Sequence, residues 1–310
     1  MQTEKRNRYA DSIDIVGHHT ISGYTSDEVT DISGDVREAV KSCSRKKDRG
    51  KDSYKTYLQI NPNKLSGTGE QRIIRKFSEF QEILVTILLG CGFDPGNFRI
   101  SRADLCLDST DAKAYESYKK LHRLLICCVA EAYSFKNCYR TYNLWTDKSL
   151  SVAIKNDEAE LENYDKDAES DGESESKNRL ELRAKKMSKS TLEHEFLEKW
   201  CHRLDTAITR YEDVQQKYNM ELERTYKEDL AKDPKDRDYA NLTGFLLAHK
   251  ECIFCRKQMI DLLSRFDEVQ NPENRADLFK RCHRIEYFSK KDLQVVVDTI
   301  KDKMKVYFQS

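Results

Sequence analysis

At 310 residues, with 38% hydrophobic and 35% charged side chains, the chain is long enough for one large domain or two ordinary ones. Its 54 Lys and Arg are matched by 54 Asp and Glu, which excludes a passive, charge-driven coat on nucleic acid but not a local basic groove. No run approaches the roughly 18 apolar residues of a membrane span, and Met1–Ser12 is too polar for a signal peptide, so an intracellular, cytoplasmic protein without a membrane partner is expected.

The ten cysteines suit a reducing compartment. Cys127 and Cys128 lie in LLICCVAEA, where a reduced Cys acts as a small hydrophobe. Cys252-x-x-Cys255 has metal or redox spacing, but no second pair accompanies it and its setting is an apolar helical pattern; it reads as structural.

In chain order, Ile13–Ile21 (IDIVGHHTI) alternates as a first strand with Ile13 and Ile15 on one face. His18 and His19 fall on opposite faces of such a strand and cannot easily share one ion. Ser42–Lys55 (SCSRKKDRGKDSYK) is basic and contains glycine: either a solvated loop or a flexible loop that touches phosphate. Tyr54–Ile60 is a second strand, closed by the turn signal Asn61-Pro62-Asn63. Gly69–Gly90 carries Ile73, Phe77, Phe80, Leu84, Ile87 and Leu88 at helical steps and is stopped by Gly90, Gly92 and Pro95. Phe98–Asp108 has period two, with Ala103, Leu105 and Leu107 on one face and Arg102, Asp104, Cys106 and Asp108 on the other. An amphipathic helix spans Asp111–Tyr133. Strand-like runs follow at Tyr139–Trp145, Leu150–Ile154, Ala159–Tyr164 and Asn178–Ala184.

This order predicts an α+β fold over residues 1–188, an antiparallel sheet with packed helices. Residues 189–310 read as an all-helical C-terminal region. Leu192, Phe196, Trp200, Ala207, Tyr211, Val214, Tyr218 and Leu222 mark one long helix, either a dimer seam or an internal brace. Asp233-Pro234 breaks it, a helix from about Leu242 to Phe266 follows, and two more occupy Arg275–Phe308, with Ser289 set to cap the last.

Two strands carry charge on one face: Arg102, Asp104 and Asp108 on the first, Arg179, Glu181 and Arg183 on the second. Carboxylates buried in a sheet are rare unless paired or metal-bound. If the strands are neighbours, Asp104, Asp108 and Glu181 can converge on a hard divalent cation, Mg2+ or Mn2+. A salt-bridge network on a solvated face is the other reading. Tyr164, one of 16 tyrosines, ends the strand before Glu181, with Lys166 two residues on. It is a strand-end aromatic or a nucleophile, and the residues alone leave both open.

The series Arg-Ala-Asp-Leu-Cys-Leu-Asp (Arg102–Asp108), Glu-Asn-Tyr-Asp-Lys-Asp-Ala-Glu (Glu162–Glu169) and Asn-Arg-Leu-Glu-Leu-Arg (Asn178–Arg183) resembles the motif series of the replication initiation factor family. That family comprises trans-acting rolling-circle plasmid initiators and related relaxases of conjugative elements. The resemblance covers about Ile13–Met187 and implies a Rep/relaxase-like nicking domain there. It implies that Tyr164 attacks origin DNA and becomes joined to a 5′ phosphate, that Asp104, Asp108 and Glu181 hold Mg2+ or Mn2+, and that Lys166, Arg179 and Arg183 lie near the scissile phosphate. The chain has no His-hydrophobic-His motif, so histidine-ligated relaxase chemistry is not supported. Residues 189–310 would then recognise origin duplex or dock a host helicase, with Ala276–Lys303 a helix-turn-helix or a plain packing hairpin, and the long helix a possible homodimer seam. A non-catalytic, sequence-specific DNA-binding protein of the same fold is the second reading.

Overall fold

A computed structural model describes Tyr9 and residues 11–29, 31–48, 53–65, 73–109, 114–133, 151–169, 177–187, 190–283 and 285–310. Among the described residues, seven strands form one sheet: β1 (Ile13–Thr25), β2 (Val40–Lys47), β3 (Tyr54–Ile60), β4 (Arg99–Ser109), β5 (Ser151–Lys155), β6 (Ala159–Asp165) and β7 (Asn178–Lys185), in the order β2-β3-β1-β4-β7-β6-β5. All its pairings are antiparallel. The fold is α+β, an antiparallel sheet with packed helices followed by further helices.

Strand alternation gives the sheet two chemically different faces. Leu105, Leu182 and Leu161 stand side by side on β4, β7 and β6, next to Leu107 and Leu180, and all are buried. Helix α1 (Phe77–Gly90) packs on β1, and α2 (Ala114–Ala132) packs on β5, β6 and β7. A bulge in β1 at Gly17, where φ is 95° and a Cβ would lie 2.9 Å from that of Ile74, shifts the phase of the strand. His18 thereby joins Leu105 on the apolar face, against Phe80 of α1.

Beyond the sheet the described helices are α3 (Cys201–Thr209), α4 (Tyr211–Leu230), α5 (Leu242–Ala248), α6 (Arg256–Leu263), α7 (Pro272–His283) and α8 (Lys290–Phe308). The long helix expected from Leu192 is in fact three pieces: a π-helical stretch His194–Trp200, then α3, then α4 after a break at Arg210 (φ −94°, ψ 6°). The break lets α3 follow α2 and α8 while α4 turns its stripe onto α2 and α6. Because Tyr211, Val214, Tyr218, Leu222 and Tyr226 are buried within the chain, α4 is an internal brace. The helix expected over Leu242–Phe266 is also two. Between α5 and α6 the Gln258 side chain accepts from Phe254 N at 2.7 Å and donates to Cys252 O at 2.8 Å, replacing the missing helical bonds. Cys255 Sγ accepts from Gln258 N at 3.3 Å as the cap of α6, and Cys252 is buried, so the Cys-x-x-Cys pair is structural.

Other expectations shift at their edges. The first half of the basic run is the edge strand β2, not a loop. Helix α1 begins at Phe77 rather than Gly69; residues 66–72 lie outside the described residues, as do the strand expected at Tyr139–Trp145 and the acidic residues 170–176. Ser289 caps α8 with a reciprocal capping box to Asp292, as expected. α8 buries Leu293, Val296, Val297, Ile300, Met304 and Tyr307 against α3, α1 and β1, whereas α7 packs on α6. Ala276–Lys303 is therefore not a helix-turn-helix; its second helix is a core element. One apolar core runs from Tyr9 to Phe308. No described helix is long and apolar enough to cross a membrane.

Candidate active site

The charged residues named above meet on the polar face, because partners across a ladder share a face. On β4 and β7, Asp104 stands opposite Arg183, Cys106 opposite Glu181 and Asp108 opposite Arg179. On β7 and β6, Arg179 stands opposite Tyr164, Glu181 opposite Glu162 and Arg183 opposite Glu160.

Arg179 forks onto Asp108 with two bonds of 2.6 Å, through Nε and Nη2, and directs Nη1 to the Tyr164 hydroxyl at 3.5 Å. That hydroxyl donates to Glu181 Oε2 at 3.4 Å, and the same oxygen accepts from Arg183 Nη2 at 3.0 Å. Arg183 also joins Glu160 and, at 2.6 Å, Glu162, so one guanidinium reconciles the Glu162 and Glu181 carboxylates set opposite each other. Arg102 clamps Asp104 with bonds of 2.9 and 2.7 Å, and Arg183 Nε lies 3.7 Å from the same carboxylate. Lys166, on a single helical turn Lys166–Glu169, pairs with Glu169 and holds Nζ 6.0 Å from the centre of the Tyr164 ring.

Burial governs the electrostatics. Asp104, Asp108, Arg179 and Glu181 are buried, and Tyr164 keeps 8% of its surface exposed. Burial pushes the Tyr164 phenol well above its ordinary range despite the pull of Arg179. Burial also raises Asp104 to about 6, with Glu181 adding to the effect and Arg102 opposing it.

The three carboxylates do not form one metal site. Asp104 and Asp108 are four residues apart on one strand, about 13 Å at roughly 3.3 Å per residue, whereas Mg2+ takes its oxygens at about 2.1 Å. Asp104 and Asp108 are each held by an arginine fork and Glu181 by Arg183. Among the described residues, no group of three or more His, Cys, Asp and Glu is arranged to hold a metal. The expectation that Asp104, Asp108 and Glu181 share Mg2+ or Mn2+ is corrected on these grounds: the face is a set of interlocked ion pairs, mostly buried rather than solvated. Tyr164, Arg179, Glu181 and Arg183 do come together, and Lys166 stands beside the ring.

Three residues of the site escaped the sequence reading. Glu160 and Glu162 share the face of Tyr164, which the period of β6 would have indicated. Lys41 had no such signal. It sits at a bulge of the edge strand β2 and reaches over β3 to donate to Thr20 Oγ1 at 2.9 Å, opposite Asp104. Burial lowers its ammonium pKa, with Asp104 and Glu181 working the other way.

No protein-family model matches the chain, and no curated protein matches it. Among solved structures it is similar to a rolling circle replication initiator protein from Geobacillus stearothermophilus, at 10% sequence identity over 94% of this chain and 97% of that one, with a TM-score of 0.33.

Proposed function

We propose that the chain is a DNA strand transferase that nicks and rejoins one strand at a defined site through a 5′-phosphotyrosyl intermediate on Tyr164, the opening step of rolling-circle replication or of mobile-element transfer. One observation carries this reading: the Tyr164 hydroxyl lies between a carboxylate oxygen of Glu181, at 3.4 Å, and the Nη1 donor of Arg179, at 3.5 Å. The motif series through Arg102–Asp108, Glu162–Glu169 and Asn178–Arg183 points to the same tyrosine.

A phenol whose pKa is raised by burial is neutral at pH 7, so its proton must leave as the new bond forms. Glu181 is the acceptor in reach. The phenolic oxygen attacks phosphorus, the bond to the 3′ oxygen breaks, and that oxygen takes a proton from water while the 5′ phosphate stays on the tyrosine. Arg179 spends Nε and Nη2 on Asp108, which leaves Nη1, beside the Tyr164 hydroxyl, to stabilise charge on a non-bridging phosphate oxygen. Arg183 keeps Glu181 in position, and Lys166 adds positive charge beside the ring. No step is routed through a divalent ion, since the three carboxylates do not fit one.

Single-stranded DNA carrying the origin, incubated with the protein with and without Mn2+, gives a covalent adduct on a denaturing gel. Tyr164→Phe abolishes it, and Glu181→Gln slows its formation by about a hundredfold or more. An adduct that persists in Tyr164→Phe would sink the assignment. The burial of Tyr164 favours a second reading, a sequence-specific DNA-binding protein without the chemistry. Duplex-origin binding with no adduct under any condition would establish it.

A further inference from the structure

The far half of the polar face, on β2, β3 and β1, has a different chemistry. Tyr57 of β3 stands opposite Tyr24 of β1 and Ser44 of β2, and 40% of it is exposed. The Tyr24 and Tyr57 rings are 6.0 Å apart at 47°. Lys55 holds Nζ 4.9 Å over the Tyr24 ring, and Lys46 stands directly opposite Lys55 in the ladder. Asp48 pairs with Lys55, its carboxylate 3.1 Å from Nζ, and offsets the repulsion between like charges set directly opposite, while Lys46 stays exposed to solvent beside the rings. Lysines on an edge strand also discourage edge-to-edge pairing, which accounts for Lys46 but not for an open tyrosine beside it. The surface is continuous with the candidate active site: Tyr24, Ser22 and Thr20 follow one face of β1 to Asp104, and Lys41 reaches Thr20.

We propose that this half of the sheet is a platform for single-stranded DNA, with Tyr57 and Tyr24 stacking bases and Lys46 and Lys41 tracking phosphates toward Tyr164. Exposed rings on a sheet face need bases with free π-faces, which a single strand offers and a duplex presents only at its edges. The exposed Lys46 beside the rings and Lys41 further along the same face favour an anionic strand. The choice of DNA over RNA rests on the proposed function.

The test is fluorescence anisotropy of the full chain with a labelled oligothymidylate of about 15 nucleotides, which contains no origin. Tyr57→Ala weakens binding about tenfold, as loss of one stacked base should. Tyr57→Phe keeps wild-type affinity because the ring remains. Lys46→Gln lowers the slope of log affinity against log salt by about 0.7, one phosphate contact on a single strand. If Tyr57→Ala fails to fold, Tyr57→Leu, apolar but without a ring, decides instead. Binding of Tyr57→Ala or Tyr57→Leu within about twofold of wild type overturns the platform, as does equal loss in Tyr57→Phe. Equal, Tyr57-dependent affinity for duplex DNA or for oligouridylate also overturns it. The two proposals fail separately: an adduct on Tyr164 with Tyr57-independent binding removes only the platform, and Tyr57-dependent binding without an adduct removes only the nicking chemistry.

Discussion

Asp108 and Arg179 show how burial ranks otherwise similar ion pairs. Both side chains are 4% exposed and joined by two short bonds, whereas Arg102, which grips Asp104 with the same fork, is 35% exposed. Removing one partner of a buried pair leaves the other charge without compensation and costs about 3–5 kcal/mol, while a pair exposed on both sides contributes about 1 kcal/mol or less. Asp108→Asn should therefore lose about 3 kcal/mol in urea unfolding, and Arg102→Gln less, because Arg183 Nε stays 3.7 Å from the buried Asp104 carboxylate and that carboxyl, raised to about 6, takes up a proton readily. Equal losses would mean that burial does not separate them. The difference also bears on Asp104: its half-open arginine fails to offset burial, which leaves the carboxyl raised to about 6. Period two put Arg102, Asp104 and Asp108 on one face, as the ladder has them. Which carboxylate each arginine takes depends on neighbouring strands, so no spacing along the chain could reveal it.

Among the helices, α8 has a start that a local capping signal made legible to the residue. Ser289 Oγ accepts from Asp292 N at 3.2 Å, and the Asp292 carboxylate accepts from Ser289 N at 2.6 Å. Ser289→Ala should cost about 1 kcal/mol by thermal unfolding, and Ser289→Asp should restore most of it. No loss in the alanine variant would show that packing alone sets the helix. Strands β3 and β4 were legible for a similar reason, since their alternation is strict and local. Strand β2 was not: KSCSRKK has no apolar alternation, because an edge strand is paired on one side and largely solvated. The breaks at Arg210 and between α5 and α6 were hidden for the opposite reason. Apolar residues continue through them at helical spacing, and the interruption is made by packing partners and by the Gln258 side chain.

At the scale of the molecule, His18 marks where the sheet, α1, the π-helical stretch and α8 meet. Its ring lies among Phe80, Phe196, Tyr307 and Phe308, and Nδ1 donates to Asp104 O at 3.2 Å. Burial lowers its pKa from 6.5 to about 3. His122, between Tyr9 and Asn178, is lowered to about 3 in the same way. The folded state thus keeps both rings neutral, and the unfolded chain protonates them first. Their contribution is complete above pH 6.5 and is lost as pH falls toward about 3. Asp104 acts in the opposite sense between about 6 and 3.8, because its raised pKa makes the folded state the better proton acceptor. His18→Phe isolates one histidine: its urea midpoint should fall less steeply with acid than that of the wild type. Parallel pH profiles would exclude His18 as a source of acid sensitivity.

The ion pairs of the polar face also constrain how the chain can assemble. Asp108 and Arg179 are 71 positions apart in sequence, and β4 must find β7 across that gap. A slip of one residue would turn Arg179, Glu181 and Arg183 into the apolar layer beneath α2 and bring Leu180 and Leu182 out among the charges. Each misplaced charge would be stranded without its partner in a dry environment. The network therefore acts as a registration mark for the sheet, penalising near-miss alignments that backbone hydrogen bonding alone would tolerate.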